Sequence, residues 1–205
     1  MNIPFYKNRG HRCAQAAIKS ILGARQPEKR FTFEKLDQLT LHQDPEITLP
    51  TQIAYGFHQL QVPFEYYVKP GKLSIAQLPS AQKYSNKFYG PRVTSNINFQ
   101  ALKKASREIQ GSKCIITSRN KPSIEMLEEM IKQEKIPLCL VNWDIFLGRK
   151  NNLTGHYIII TRFENGQIIY HDNGPHKARA NKRISKERFK KAWNLSTIDH
   201  DLIVA

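Results

Sequence analysis

The chain has 205 residues, of which 40% are hydrophobic and 24% are charged. This composition excludes an intrinsically disordered protein and predicts one globular domain, residues 1–205. The net charge of +15 favours anionic partners, and no apolar run approaches the roughly 20 residues of a membrane-spanning helix.

The first part of the chain is predicted to be mainly helical. Apolar residues after Cys13 recur at helical spacing and predict an amphipathic helix that Gly23 can end. They are Ala14, Ala17, Ile18 and Ile21. Thr32 is predicted to cap a second helix to about Leu41, and a third helix is predicted after Pro50.

The middle of the chain is less regular. Alternating apolar residues predict a strand at 62–69, and a short strand is predicted at 113–117. Between them, residues 70–96 are rich in proline and glycine, and we interpret them as a long loop with short helical turns. Loops of that length in compact domains are often functional. Asn98 is predicted to cap a helix to Ile109.

The remainder predicts an antiparallel sheet with two helices. Ser123 and Ser185 are predicted to cap these helices, and strands are expected at 136–143, 157–163, 167–172 and 201–204. The fold class is therefore α+β, with a helical part over about 1–112 and a sheet part over about 113–205.

Two polar residues are predicted to lie together near one end of this sheet. Asn165-Gly166 indicates a tight hairpin, because a primed turn needs positive φ at both central residues. The hairpin places His156 and Asp172 on neighbouring strands. His171 is an alternative histidine, but alternation along the strand puts it on the face opposite Asp172.

Cys13 is the third element of this hypothesis. A cysteine at the start of a helix lies at the positive end of the backbone dipole, which favours the reactive thiolate. A histidine beside it can transfer the proton, and an acid can orient the histidine. His156 and Asp172 suit these roles. Asn173 is a weaker alternative to Asp172 as the orienting group. His11 is an alternative to His156, but no acid lies near it in sequence.

When such a thiolate attacks a carbonyl carbon, the negative charge that develops on the carbonyl oxygen needs hydrogen-bond donors. The backbone N–H of Cys13 provides one, and the side-chain amide of Asn8 is the nearest second donor upstream. Cys114 and Cys139 lie in apolar strand-like runs, where buried inert thiols are the ordinary interpretation.

Several segments resemble the papain-like bacteriocin-leader (double-glycine) peptidases and their stand-alone relatives. The similar segments are Ile3-Pro4-Phe5-Tyr6, Cys13 to Ile18, Ile136 to Val141, Gly155-His156-Tyr157, His171 to Pro175 and Ser185 to Trp193. The resemblance covers residues 3–22 and 136–205, and residues 23–135 match nothing in that family.

The resemblance implies a papain-like fold, with Cys13 as nucleophile, His156 as general base and acid, and Asp172 as the orienting group. It also implies a helix that carries the nucleophile and packs against the C-terminal sheet. Two positions depart from the family pattern. Asn8 is the nearest equivalent of the oxyanion glutamine and is one methylene shorter, and Ala14-Gln15 replaces the Gly-Pro that follows the cysteine.

The leading hypothesis is a cysteine hydrolase that cleaves peptide or isopeptide bonds of a peptide or protein substrate through a Cys13 thioester. One alternative is an acyl- or amide-transferring enzyme on the same triad. The other is a catalytically decayed basic module that binds nucleic acid or an acidic partner. That last hypothesis rests on eight cations and one acid within the basic cluster, residues 177–191. A solvated basic face is the ordinary interpretation of such a charge run taken alone.

No cofactor is expected. A metal site of His171, Asp172 and His176 is the weaker interpretation, because the spacing matches no zinc pattern and a turn explains the motif. Three widely spaced cysteines and an N-terminus without a signal-peptide h-region predict a reducing, cytoplasmic compartment.

Overall fold

A computed structural model places the helices on both faces of one seven-stranded sheet. It describes residues 1–8, 10–43, 45–89, 94–117, 121–150, 154–174, 177–193 and 202–205. The helices are α1 (Cys13–Arg25), α2 (Phe33–Thr40), α3 (Pro50–Gln59), α4 (Lys72–Ile75), α5 (Ala81–Tyr89), α6 (Phe99–Ile109), α7 (Ile124–Lys132), α8 (Trp143–Phe146) and α9 (Lys186–Trp193). The strands are β1 (Glu65–Val68), β2 (Ile115–Thr117), β3 (Pro137–Asn142), β4 (Gly155–Glu164), β5 (Gln167–Asp172), β6 (Arg179–Ser185) and β7 (Leu202–Val204).

The sheet order is β2-β1-β7-β3-β4-β5-β6. Only the β1–β2 pair among these strands is parallel. The predicted α+β fold class is confirmed, and α1 packs against β4 as expected. β1 comes from the N-terminal part of the chain, but it lies between β2 and β7 within the sheet.

Each face of the sheet has its own apolar core. Leu138, Tyr157 and Ile159 point to the side covered by α1, α2, α3 and α6. Ile158 and Ile160 point to the opposite side, where α7, α8 and α9 pack. The period-2 alternation of β4 therefore divides its buried residues between two cores.

Local signals in the sequence account for several element ends. Thr32 accepts a hydrogen bond from the backbone N–H of Lys35, and Ser123 accepts one from Met126, as expected for N-caps. In the β4–β5 hairpin, Asn165 and Gly166 have φ values of 48° and 73°, which confirms the predicted primed turn.

Two parts of the regular structure differ from the prediction. In the segment 70–96 the four-residue helix α4 agrees with the expected short helical turns, but the nine-residue helix α5 is longer than expected; residues 90–93 lie outside the described ranges. β6 was not predicted as a strand, because four of its seven residues are polar or charged at alternating exposed positions and only Ile184 is buried. β6 matters for the site because it pairs with β5 beside Asp172.

Candidate active site

Cys13 is the first residue of α1 and is half-buried. The loop before it is fixed at Arg12, whose backbone N–H donates to Oδ1 of Asn8 at 2.9 Å. The guanidinium of Arg12 also donates to Asp37 at 2.9 Å, which joins the start of α1 to α2. The thiol is thereby held at the N-terminal end of a helix, where the backbone dipole favours a negative charge.

His156 lies near the start of β4, where it pairs with Val141 of β3, and it is 5% exposed. Its Nε2 lies 3.0 Å from Oδ1 of Asp172, and the ring is also hydrogen-bonded to the side chain of Cys13. Since Asp172 occupies Nε2, Nδ1 is the nitrogen left for the thiol. The indole of Trp143 packs on the ring, with a centroid separation of 4.3 Å.

Asp172 ends β5 and is fully buried. Its Oδ1 accepts hydrogen bonds from His156 and from the backbone N–H of Gly174, each at 3.0 Å. Its Oδ2 accepts from Nζ of Lys182 at 2.7 Å. The structure thus brings together Cys13, His156 and Asp172, as the sequence predicted, and adds a lysine to the carboxylate.

The pKa values follow from these contacts. Burial alone would lower the pKa of His156, but hydrogen bonds to Asp172 and Cys13, together with attraction to both negative charges, raise it to about 9. Burial alone would raise the pKa of Asp172, but the hydrogen bonds from His156 and Lys182 outweigh it and lower the pKa. The preferred state at neutral pH is therefore an imidazolium beside a carboxylate.

This arrangement suits nucleophilic acyl chemistry. A protonated imidazole stabilises a thiolate next to it and can deliver its proton to a leaving group. A buried carboxylate fixes the ring orientation and stabilises its positive form. Burial of the imidazole and carboxylate strengthens each of these interactions, because the local dielectric is low.

Asn8 is buried beside this site, but its amide is already engaged within the loop. Its Nδ2 donates to the carbonyl of Gly10 at 2.9 Å, and its Oδ1 accepts from Arg12. Its backbone N–H donates to the carbonyl of Asn173 at 3.1 Å, so Asn8 is tied to the residue after Asp172. Among the described residues Nδ2 makes this one hydrogen bond, and its second hydrogen can donate to a further acceptor.

The alternative residues have other roles in the structure. Asn173 does not orient the imidazole, because its Nδ2 donates to the carbonyl of Tyr6 and to the hydroxyl of Ser20. His11 is exposed on the loop before α1.

His171 points away from Asp172, as alternation predicted. Its Nε2 lies 3.0 Å from the carbonyl of Ile3, and its Nδ1 accepts from the backbone N–H of Asn181. Burial lowers the pKa of His171. His171 is therefore a neutral histidine that joins the N-terminal segment and β6 to β5.

The other two cysteines belong to β3 and to the segment before β2. Cys139 is fully buried in β3, and burial raises the pKa of its thiol. Cys114 precedes β2 at the far edge of the sheet and is half-buried. The prediction of a buried thiol is confirmed for Cys139 and only in part for Cys114.

Three of the eight cations in the basic cluster pair with acids of other elements. Lys182 binds Asp172, Arg183 lies 3.3 Å from Glu164, and Lys186 binds Glu128. These contacts connect β6 and α9 to β4, β5 and α7. The net charge of this segment is therefore partly structural, and the expected anionic partner stays a prediction.

Three residues of the site were missed at the sequence level: Lys182, Trp143 and Gly174. Lys182 was counted only as part of a charge run, and Trp143 only as the end of a strand. The separation of these residues along the chain hides their proximity, because Lys182 reaches Asp172 only through the pairing of β6 with β5.

Metal and membrane signals were also compared with the structure. Within the described ranges, no group of three or more His, Cys, Asp or Glu side chains is arranged to hold a metal ion, and His176 lies outside those ranges. Of the helices described, none is long and apolar enough to cross a membrane.

Comparisons with known proteins give one family and one fold. A family model described as guanylylate cyclase matches residues 9–205. The peptidase domain of Streptococcus ComA, a bi-functional ABC transporter involved in a quorum-sensing pathway, matches the chain with a TM-score of 0.55 and 15% identity. This match covers 100% of the chain and 98% of the ComA domain, and it confirms the predicted fold.

A C39-like peptidase structure from Bacillus anthracis is also similar, at 15% identity over 57% of each chain, but its TM-score of 0.33 is too low to support an argument. None of the curated proteins matches the chain.

Proposed function

The chain belongs to the guanylylate cyclase family, and we propose that its site acts as a cysteine hydrolase on peptide or isopeptide bonds. The observation that carries this proposal is the hydrogen-bonded series from Cys13 through His156 to Asp172. The fold that the chain shares with the ComA peptidase domain is compatible with it.

The proposed reaction has two stages. The Cys13 thiolate attacks the substrate carbonyl carbon, and as the tetrahedral intermediate collapses His156 gives its Nδ1 proton to the departing amine. This leaves an acyl-thioester on the sulfur. Neutral His156 then takes a proton from water, the resulting hydroxide attacks the thioester, and the carboxylic acid leaves as the thiolate and imidazolium are restored.

The developing oxyanion needs donors in both stages. The backbone N–H of Cys13 and the remaining Nδ2 hydrogen of Asn8 are the proposed pair. Each such donor contributes roughly 3–4 kcal/mol of transition-state stabilisation in hydrolases of this type.

An activated ester tests the first stage without knowledge of the natural substrate. With p-nitrophenyl acetate, the wild-type chain should release a burst of nitrophenol and gain one acetyl group, located on Cys13 by mass spectrometry. Cys13→Ala should abolish the adduct, whereas Cys114→Ala and Cys139→Ala should retain it. Equal labelling of all three single variants, or no labelling of the wild type, would overturn the proposal.

The second stage separates hydrolysis from acyl transfer. Addition of a small primary amine to the acylated chain should leave acetate as the main product if water is the acceptor. An amide as the main product would instead identify an acyl-transferring enzyme on the same triad.

A second candidate is the formation of cyclic GMP from GTP, which the description of the family model favours. Such a reaction needs a base for the ribose hydroxyl and cations for the phosphate oxygens. At the site described here, His156 has a raised pKa of about 9 and Lys182 is bound to Asp172, so neither group is free for these tasks at neutral pH. Incubation with GTP is the direct measurement, and cyclic GMP from a chain that forms no acyl-enzyme would favour the cyclase.

A further inference from the structure

Lys182 is the residue of the site whose role the proposed triad leaves unexplained. Its Nζ lies 2.7 Å from Oδ2 of Asp172, and its side chain is 27% exposed. The ammonium group also lies over the indole of Trp143, 5.8 Å from the ring centroid. Lys182 therefore contacts both the acid and the aromatic ring that hold His156.

A bulge in β6 lies next to this contact. Tyr170 pairs with Lys182, but Asp172 pairs with Arg179, so Ala180 and Asn181 together face the single residue His171. Asn181 has a φ of 53°, and its backbone N–H donates to Nδ1 of His171 at 3.2 Å. Bulges of this kind re-aim neighbouring side chains and are frequent beside active sites.

Face alternation explains how the lysine reaches the carboxylate. Lys182 lies opposite Tyr170, and Asp172 is two residues further along β5, so all three share a face. Arg179, which is opposite Asp172 in register, is exposed instead. The carboxylate is thus held by a diagonal cross-strand contact with the lysine.

We propose that Lys182 is a positioning residue of the site: it holds Oδ2 of Asp172, so that Oδ1 stays directed at His156, and it balances the buried carboxylate charge. This inference rests on the proposed function, because it assigns Lys182 to the same triad. Two cations, the ammonium and the imidazolium, share one carboxylate, and each lowers the attraction that the other experiences.

Coulomb's law gives the direction in which loss of the Lys182 charge would change protonation of the site. Removal of a nearby positive charge favours protonation of every neighbouring titratable group. The titratable groups that face His156 and Asp172 are Cys13 from α1, Tyr170 from β5 and Lys182 from β6. The residue that α8 contributes, Trp143, is neutral. Without Lys182, the Cys13–His156 pair should lose its protons at higher pH.

Alkylation of Cys13 by iodoacetamide measures, without a substrate, the pH at which the reactive thiolate forms. The rate is followed by mass spectrometry of the Cys13 peptide between pH 4 and pH 10. Lys182→Met should move the whole rate profile to higher pH by about one unit. Lys182→Arg, which keeps the charge, should retain the wild-type profile.

Arg183→Met is the matched control, because it removes a cation from the next position of the same strand. Arg183 pairs with Glu164 and lies on the exposed side of β6. Its alkylation profile should coincide with that of the wild type. An equal shift in Arg183→Met would mean a general charge effect and would overturn the assignment.

Other outcomes also decide the question. If Lys182→Met leaves the profile unchanged, or if Lys182→Arg shifts it as far as Lys182→Met does, the charge of Lys182 does not tune the pair. If Lys182→Met does not fold, Lys182→Gln takes its place: an unshifted Lys182→Gln profile contradicts the proposal, and a shift to higher pH that Lys182→Arg lacks supports it. The profile needs no turnover, so the role of Lys182 is tested even in a chain that hydrolyses nothing, and its failure is distinguishable from failure of the hydrolase proposal.

Discussion

Gly174 lies against the imidazole of His156, so closely that a β-carbon added to it would stand 3.0 Å from Cε1 of the ring. The same atom would lie 2.9 Å from Oδ1 of Asp172. The distance to Asp172 is one that real β-carbons essentially never show, and the distance to the ring is tighter than nine in ten of their contacts. Both obstructing atoms belong to groups fixed by hydrogen bonds. A glycine at this position is therefore required by the packing of the triad itself.

Gly174→Ala should displace the carboxylate or the ring. We expect a loss of about 1–3 kcal/mol in the free energy of unfolding, as for other overpacked positions. The rate of Cys13 alkylation at pH 7 should fall as well. Urea unfolding and alkylation measure the two effects on one sample.

Gly155→Ala is the control for this substitution. Gly155 precedes His156, and its added β-carbon would meet only Leu140, at an ordinary 3.4 Å. It should therefore leave alkylation near the wild-type rate. Alkylation of Gly174→Ala at the wild-type rate would show that the site accommodates the added methyl group without displacing His156 or Asp172.

Asp172→Asn should lower the pKa of His156. The pKa is raised to about 9 because the interactions with Asp172 and Cys13 outweigh burial, and the amide keeps the shape of the side chain but not its charge. We expect the midpoint to fall from about 9 toward the ordinary value of 6.5. A pH titration of the ring Cε1–H resonance by NMR, assigned by its loss in His156→Gln, measures the change.

Asp37→Asn serves as the comparison, because that carboxylate binds Arg12 rather than the imidazole. It should leave the His156 midpoint near 9. A midpoint that also stays at that value in Asp172→Asn would mean that the carboxylate charge does not hold the proton on the ring.

The proximity of Cys13, His156 and Asp172 could be predicted from the sequence because each residue lies at or near the end of an element with a strong local signal. Asn165-Gly166 specifies the hairpin, and the hairpin places His156 and Asp172 on adjacent strands. Apolar residues at helical spacing specify α1 and so place Cys13 at its start. These are interactions over a few residues, and sequence patterns record them well.

The polar edge strand β6 has no comparable pattern of apolar residues in the sequence. β6 has few apolar residues, and at its bulge Asn181 donates a hydrogen bond to His171 of the neighbouring strand. The role of Lys182 follows from that pairing, so composition alone gave only a charge run. The segment before α6 was likewise misjudged, because α5 is polar and follows Pro79.

His171 should make stability depend on pH below neutrality. Its pKa is lowered in the folded state by burial, so the unfolded chain binds more protons as the pH falls. The stabilising contribution is therefore complete above about 6.5, the unfolded value, and is lost as the pH falls through the folded value. The loss amounts to at most about 1.4 kcal/mol per pH unit.

His171→Leu removes this titration and the hydrogen bonds to Ile3 and Asn181. Urea unfolding between pH 5 and pH 7 should show a weaker pH dependence than the wild type, on a lower overall stability. The difference between the two curves isolates His171, since His156 is present in both. The exposed His58, changed to Gln, should leave the wild-type dependence unaltered, and parallel curves for His171→Leu and wild type would contradict the prediction.

Asn8 has one observed role, in the loop, and one proposed role, toward an oxyanion. Its Oδ1 holds the N–H of Arg12 and its Nδ2 holds the carbonyl of Gly10, so truncation weakens the loop in any case. An oxyanion donor adds a second effect that appears only when a tetrahedral intermediate forms. Acylation by an activated ester forms this intermediate, whereas alkylation by iodoacetamide does not.

Asn8→Ala should therefore slow acylation of Cys13 by roughly 10²–10³-fold and alkylation far less. Asn8→Gln keeps the amide donor one methylene further out and should recover part of the acylation rate. The ratio of the two rates, measured on the same preparation, cancels losses that come from a disturbed loop. Equal slowing of acylation and alkylation in Asn8→Ala would restrict Asn8 to the structural role, and the backbone N–H of Cys13 would then need a different partner.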